Sequence, residues 1–163
     1  MLSLLLATAL LSLSSFTCAE MQLSRFKTDS YREIIKQYQG YSFLMVLWSV
    51  DCTPCIEELP ALGKFHQLHP KANVVMVSTD TENQEKDIQQ LMNKYGLDDI
   101  QQWVFFGASV QAIRFAIDPV WYGELPRSYF HHKNHKRQAK SGRLDESTLL
   151  AWIKVINNRR AGL

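Results

Sequence analysis

The sequence predicts an α/β fold with a mixed central sheet and helices on both faces. Two apolar runs, residues 42–48 and Asn73 to Ser78, carry no charged side chain, which is typical of strands buried on both faces. Segments with helical spacing alternate with these runs, and such alternation favours a sheet that helices cover on both sides. A chain of 163 residues is long enough for one domain with its own core. Its net charge of +2 is too small to suggest a nucleic-acid partner.

The N-terminal half begins with a predicted helix from Ser30 to Gln39. Ser30 and Glu33 have the spacing of a capping box, and Gly40 provides the stop. The 42–48 strand follows this helix. After a short turn, a second helix is expected to run to about Leu68, because apolar residues recur along one of its faces.

The middle of the chain predicts a further helix and strand after the 73–78 strand. The helix begins at a capping box formed by Thr81 and Gln84 and ends at Gly96. A short strand from Gln102 to Phe106 follows. A short helix from Ser109 to Ile117 then stops before Asp118-Pro119, because a residue that precedes proline disfavours helical backbone.

The C-terminal part predicts a hairpin and a last helix. The hairpin strands are Arg127 to His131 and roughly residues 136–141. Asp145 has the position and residue type of a helix N-cap. The helix that it begins turns one apolar stripe toward the sheet, formed by Leu149, Trp152, Ile153 and Ile156.

Cys52 and Cys55 lie in the turn between the 42–48 strand and the helix that follows it. Pro54 lacks an amide hydrogen that the first turn of a helix cannot use, so Cys52 is expected at the helix N-terminus and Cys55 one turn in. Unpaired amides and the positive end of the helix dipole then face the first sulfur. Both favour the thiolate, which is the species that attacks a disulfide. Half of a zinc site is the alternative, although no second C-x-x-C completes it.

The residues around the cysteines form the pattern W-x-x-x-C-x-P-C-x-x-E-x-P, with a strand before it and a helix after it. In this pattern the chain resembles the TlpA/ResA-like thiol-disulfide oxidoreductases of the thioredoxin superfamily, over roughly Tyr41 to Ile156. The resemblance implies a thioredoxin fold, and the additional helix and strand in the middle of the chain match that family's central α/β insertion. The pattern is formed by Trp48, Cys52, Pro54, Cys55, Glu58 and Pro60.

The resemblance implies a role for each polar residue of the pattern. Cys52 is the expected nucleophile and Cys55 the resolving thiol, so that the pair alternates between disulfide and dithiol with no bound cofactor. Glu58 is the expected proton-exchange partner of Cys55, with a pKa raised by burial; a solvated helix glutamate is the alternative. Asp51 departs from the Trp that the family commonly has here. Its charge opposes the Cys52 thiolate, which leaves the redox potential open.

Further residues are candidates for the site, Pro126 as a catalytic residue and the others for binding a substrate. Leu125 and Pro126 precede the hairpin, where thioredoxin-like proteins place a cis-proline loop against the cysteines; an ordinary trans turn is the alternative. The guanidinium of Arg127 either stabilises the thiolate or meets water. Pro54 and Trp48 flank the cysteine pair. An apolar rim for a partner is a candidate role for Trp48, Trp121 and Tyr122, although core packing explains Trp48 equally well.

Residues 1–19 are predicted to be a signal peptide or an N-terminal anchor, and residues 20–163 a thioredoxin-like domain. The segment is apolar and uncharged, is too short to span a bilayer, and ends in Thr17-Cys18-Ala19, which approximates a cleavage site. Lipid attachment at Cys18 is the alternative. Either case predicts export, with the periplasm as the expected compartment and membrane attachment through the N-terminus as an alternative.

The sequence and the resemblance together predict an exported reductase of disulfides in envelope proteins. Its expected partners are protein thiol or disulfide clients and a membrane electron donor of the thiol-relay type. The resemblance includes proteins that serve cytochrome c maturation, so clients of that process are among those expected. One alternative is a copper metallochaperone that uses the cysteines and weak candidate ligands in a basic hairpin. A dithiol oxidase of the same fold is another alternative. The candidate ligands are His131, His132 and His135.

Overall fold

The computed structural model describes residues 21–107, 109–134 and 136–158. The predicted leader, with Cys18, lies outside the described residues. Within those ranges, no helix is both long and apolar enough to cross a membrane. The elements are β1 (Leu23–Phe26), α1 (Ser30–Gln37), β2 (Phe43–Trp48), α2 (Thr53–Leu68), β3 (Asn73–Ser78), a 3-10 turn (Glu82–Gln84), α3 (Glu85–Tyr95), β4 (Gln101–Phe105), α4 (Val110–Ile117), β5 (Arg127–His131), β6 (Arg137–Ser141) and α5 (Glu146–Asn158).

The described residues form one mixed sheet in the order β1-β4-β3-β2-β5-β6. The first four strands in this order are parallel, whereas β5 runs antiparallel to β2 and β6 antiparallel to β5. Every residue of β2 is buried, as its uncharged composition predicts. At the carboxyl end of β2, Trp48 pairs with Ser78 at the end of β3, and Leu47 pairs with Arg127 at the start of β5. Three connecting segments therefore meet where the cysteine turn begins.

Two apolar clusters occupy the two faces of this sheet. The alternation of side chains along β2 sends Leu44, Val46 and Trp48 into one cluster and the residues between them into the other. The first cluster packs under α2, α3 and α5, and is called the α2 face below. The second packs under α1 and α4, and is called the α1 face. The predicted layering, with helices on both sides, is confirmed.

Most predicted elements are confirmed, including the inserted α3 and β4. The Thr81–Gln84 interaction is formed, and Asp145 caps α5 by accepting a hydrogen bond from the amide of Thr148 at 2.7 Å. The predicted stripe of α5 is buried against the α2 face. The residue pattern therefore located both the boundaries and the inward faces of these helices.

Two local features differ from the predictions. β1 was not predicted, because four residues at the sheet edge that pair only with β4 leave no buried run in the sequence. The predicted capping box of Ser30 and Glu33 is wrong. Ser30 is already inside α1, and its hydroxyl accepts a hydrogen bond from the Lys27 amide at 3.0 Å.

Candidate active site

Cys52 and Cys55 form a disulfide at the N-terminus of α2, with an S–S distance of 2.02 Å. Cys52 is the N-cap residue, its backbone is extended, and Pro54 follows in the first helical turn. The Sγ of Cys52 accepts a hydrogen bond from the Cys55 amide at 3.3 Å. The first sulfur therefore lies where helix amides and the helix dipole favour negative charge, as the sequence predicts.

The two cysteines differ in exposure. Cys52 is partly exposed, whereas Cys55 is completely buried in the core of the α2 face. A polypeptide approaching from solvent therefore meets the Cys52 sulfur first. This asymmetry agrees with the predicted roles of nucleophile and resolving thiol.

Glu58 lies one turn beyond Cys55 on α2 and is only 1% exposed. Its Oε2 accepts a hydrogen bond from the Leu144 amide at 2.8 Å, and its buried Oε1 has no hydrogen-bond partner among the described residues. Burial raises the pKa of Glu58 to about 7, although the Leu144 amide and the charges of Arg143 and Lys140 act in the opposite direction. This buried environment agrees with the expected raised pKa of Glu58. It does not agree with the alternative, in which Glu58 is a solvated helix residue.

The peptide bond between Leu125 and Pro126 is cis, as the resemblance implies. Pro126 is buried, and its carbonyl accepts a hydrogen bond from the Gly142 amide at 2.9 Å. The loop leads directly into β5, which pairs with the strand that carries the cysteine turn. It thus lies at the same end of the sheet as the disulfide.

Arg127 has a different environment from either sequence expectation. Its guanidinium donates to Asp118 at 3.2 Å, to Glu124 at 3.2 Å and to the Ser141 hydroxyl at 2.6 Å. Arg127 alternates with Ser128 along β5, and it packs over the Tyr129 ring on the α1 face, opposite Cys55. Among the described residues, Arg127 therefore binds carboxylates and a hydroxyl. It neither points only into solvent nor contacts the Cys52 sulfur.

The structure corrects the proposed apolar rim in part. Trp48 is completely buried in the α2 face, so its side chain is not part of an exposed rim. Trp121 is also buried, and its indole nitrogen donates to the Glu124 carbonyl at 2.9 Å. Tyr122 is 89% exposed, and Pro54 is also exposed, so these two side chains are accessible from solvent.

The histidines of the hairpin do not form a group in the described residues. His131 is buried, and its ring stacks on Phe43 with 4.2 Å between the ring centroids. His132 is partly buried, and His135 lies outside the described residues. Within the described ranges, no three potential His, Cys, Asp or Glu ligands lie together. The described part of the chain therefore does not bring the candidate ligands together, and β5 turns His131 into the core.

Two buried acidic residues were missed by the sequence reasoning. Asp80 follows β3 and contacts the loop before Cys52, while Asp118 follows α4 and binds Arg127, Arg137 and Tyr129. Their sequence signal is weak, since an Asp after an apolar strand or helix is usually a solvated turn residue. Only the pairing of distant segments shows that both are enclosed.

No protein-family model and no curated protein matches the chain. Solved structures do resemble it. One is dsbF of Mycobacterium tuberculosis, with 19% sequence identity and a TM-score of 0.59 over 74% of this chain and 84% of that chain. Another is a secreted disulfide oxidoreductase of the same organism that is homologous to Escherichia coli DsbE, with 17% identity and a TM-score of 0.59 over 74% of this chain and 85% of that chain. A third is a thioredoxin-related protein of Neisseria meningitidis serogroup B, with 22% identity and a TM-score of 0.57 over 72% of this chain and 85% of that chain.

These likenesses show that the chain has the thioredoxin-like fold that the motif implies. The alignment covers about three quarters of the chain, and it agrees with the mixed sheet and the helices on both of its faces. At these low sequence identities, structural likeness establishes the fold and not the activity. The activity has to be argued from the residues at the N-terminus of α2.

Proposed function

We propose that this chain is an exported thiol-disulfide oxidoreductase that reduces disulfides in other proteins. The observation that carries the proposal is the Cys52–Cys55 disulfide at the N-terminus of α2, with one sulfur partly exposed and the other buried one turn from Glu58. The structural likeness to dsbF and to a secreted disulfide oxidoreductase supports the same activity. The signal-peptide expectation for residues 1–19 supports export.

The reaction exchanges one disulfide for another. The Cys52 thiolate attacks a sulfur of the client disulfide, the client S–S bond breaks, and one client sulfur leaves as a thiolate. The Cys55 thiolate then attacks Cys52, which forms the intramolecular disulfide and releases the second client thiolate. Two electrons pass from the cysteine pair to the client. A membrane-bound dithiol protein is the proposed donor that reduces the pair again.

Glu58 is the proposed proton acceptor for Cys55. Both residues are buried on the same side of α2. The Oε1 atom of Glu58, which has no hydrogen-bond partner within the described ranges, has the capacity to accept a proton. With a pKa of about 7, Glu58 is partly protonated near neutral pH, so it can both take up and release a proton in this range. An ordinary exposed glutamate would remain ionised there and would be a poor acid.

The cysteine roles are tested by trapping. We expect Cys52→Ala to lose reduction of insulin and to trap no client, and Cys55→Ala to accumulate mixed disulfides at Cys52. Mass spectrometry of the trapped species identifies the sulfur involved. Equal trapping by both variants would contradict the assignment.

The direction of the reaction is tested on the wild type by equilibration with glutathione. For a reductase, we expect the Cys52–Cys55 pair to have a lower reduction potential than glutathione. A strongly oxidising couple would instead favour the oxidase of the same fold. The measurement needs no knowledge of the natural client.

A further inference from the structure

The loop that leads to Cys52 is attached to the segment that follows β3. Ser78, the last residue of β3, and the segment that follows it to Gln84 are together called the β3 corner. Asp80 accepts a hydrogen bond from the Ser49 hydroxyl at 2.7 Å and from the Val50 amide at 2.9 Å. Gln84 donates to the Asp51 carboxylate at 3.1 Å. All three residues between β2 and Cys52 are therefore bound to the β3 corner by side chains.

Asp80 is the buried member of this arrangement, with 7% of its surface exposed. Both of its carboxylate oxygens accept hydrogen bonds, and the third donor is the Ser78 hydroxyl at 2.6 Å. A buried carboxylate that binds three donors holds them more tightly than a neutral group would. The ties at Asp80 are therefore stronger constraints than the exposed contact of Gln84.

The hydrogen bonds continue from Asp80 to the cysteine. The Ser49 hydroxyl, which donates to Asp80, accepts from the Asp51 amide at 3.1 Å. The Ser49 carbonyl accepts from the Cys52 amide at 3.2 Å. The backbone from Ser49 to Cys52 is thus fixed, and with it the position from which Cys52 enters α2.

We propose that Asp80 is a positioning residue that holds the Cys52 sulfur in place for ring closure with Cys55. The inference rests on the proposed thiol-disulfide activity and deepens it. When Cys55 attacks the mixed disulfide at Cys52, the bond between Cys52 and the client breaks and the client thiolate carries away the electron pair. The rate and the equilibrium of this step depend on how closely the two sulfurs are already held. Asp80 acts on Cys52 through Ser49 and does not touch the sulfur.

The test measures the equilibrium constant between the reduced protein and oxidised glutathione. We expect Asp80→Ala to lower the constant for forming the Cys52–Cys55 disulfide by about tenfold, because the freed loop lowers the effective concentration of one sulfur at the other. Ser49→Ala removes one of the ties and should give a smaller decrease. Mixed disulfides with glutathione should persist longer in both variants.

Asn73→Ala is the matched control. Asn73 donates to the Ser42 carbonyl at 2.9 Å, and so ties β3 to the chain at the other end of the same strand pair. We expect this variant to lose stability toward urea without a change in the glutathione equilibrium. An equal decrease in Asn73→Ala and Asp80→Ala would overturn the proposal, since general loosening would then explain both.

Ser49→Ala keeps the proposal testable if Asp80→Ala does not fold. Wild-type constants in every folded variant would overturn the positioning role and leave the proposed activity intact. A wild type that does not exchange with glutathione would instead refute the activity itself. A lower constant in Ser49→Ala and Asp80→Ala, less than additive in the double variant, would support the chain of contacts through Ser49.

Discussion

Glu58 and Asp118 are two buried carboxyl groups on opposite faces of the sheet, with 1% and 4% of their surfaces exposed. Burial acts to raise the pKa of both. For Glu58 this effect prevails, because a single amide and two peripheral cations oppose it, and the pKa rises to about 7. For Asp118, hydrogen bonds from Tyr129 and Arg127 and the charge of Arg137 outweigh burial, and the pKa is lowered.

The comparison teaches that partners, and not burial, decide what a buried carboxyl can do here. Asp118 is held ionised, and it binds two arginines that join the end of α4 to β5 and β6. Such a group stabilises the fold and is unsuited to exchanging protons. Glu58 has one oxygen with no hydrogen-bond partner in the described part of the chain and a pKa near neutrality, so it is suited to proton exchange and contributes less to stability.

The largest expected effect comes from removing the paired carboxyl. Asp118→Ala should lower the free energy of unfolding by about 3–5 kcal/mol, because two arginine charges with restricted access to water lose the buried carboxylate that they share. Side chains of Arg127 and Arg137 are 12% and 30% exposed, respectively. Urea unfolding at neutral pH measures the loss.

The control for this prediction is Glu124→Ala, which removes an exposed partner of the same Arg127. It should cost less than about 1 kcal/mol, as exposed ion pairs usually do. Similar losses in the two variants would show that burial of Asp118 adds nothing to the strength of its ion pairs.

The next effect is a pH dependence of stability that Glu58 causes. Its pKa is about 7 in the folded protein and 4.5 in an ordinary environment, so the folded state binds the proton more tightly. The stabilising contribution is therefore complete below pH 4.5 and is lost as the pH rises through about 7. The loss amounts to about 3 kcal/mol at most, from 1.36 kcal/mol for each pH unit.

Glu58→Gln cannot ionise and should lack this decline. The informative measurement is the difference in unfolding free energy between the variant and the wild type across the pH range, since all other titrating groups are common to both. Glu57→Gln, which changes the exposed neighbouring carboxyl, should retain the wild-type slope. Parallel curves for Glu58→Gln and the wild type would contradict the raised pKa.

The same contrast explains which features could be predicted from the sequence. β2 and β3 have a local signal, since each is an uncharged apolar run. The cysteine turn has another, since Pro54 follows Cys52 and Glu58 lies three residues after Cys55. The positions of these elements are confirmed. The partners of Arg127 and Asp80 depend on which strands become neighbours, and no local spacing encodes this. The burial of His131 has a related cause. A basic hairpin suggests solvent, whereas β5 is an inner strand with both faces covered.

The smallest expected effect concerns the cations near Glu58. Arg143 lowers the pKa of Glu58 by its charge and forms an exposed ion pair with Glu57. Arg143→Ala should raise the pKa of Glu58 only slightly, because solvent screens the charge of the exposed Arg143 side chain. Isotope-edited NMR of the Glu58 carboxyl across the pH range measures the midpoint.

Glu57→Gln separates the charge of Arg143 from its anchoring to α2. Arg143 precedes Leu144, whose amide binds Glu58, so loss of the ion pair with Glu57 could also loosen this hydrogen bond. If the charge acts directly, the midpoint rises in Arg143→Ala and does not rise in Glu57→Gln, where the cation remains. An equal rise in both variants would mean that the ion pair acts by holding the Leu144 amide against the carboxylate. Glu58 would then resemble Asp118, since its pKa too would be set by the hydrogen bonds that reach it.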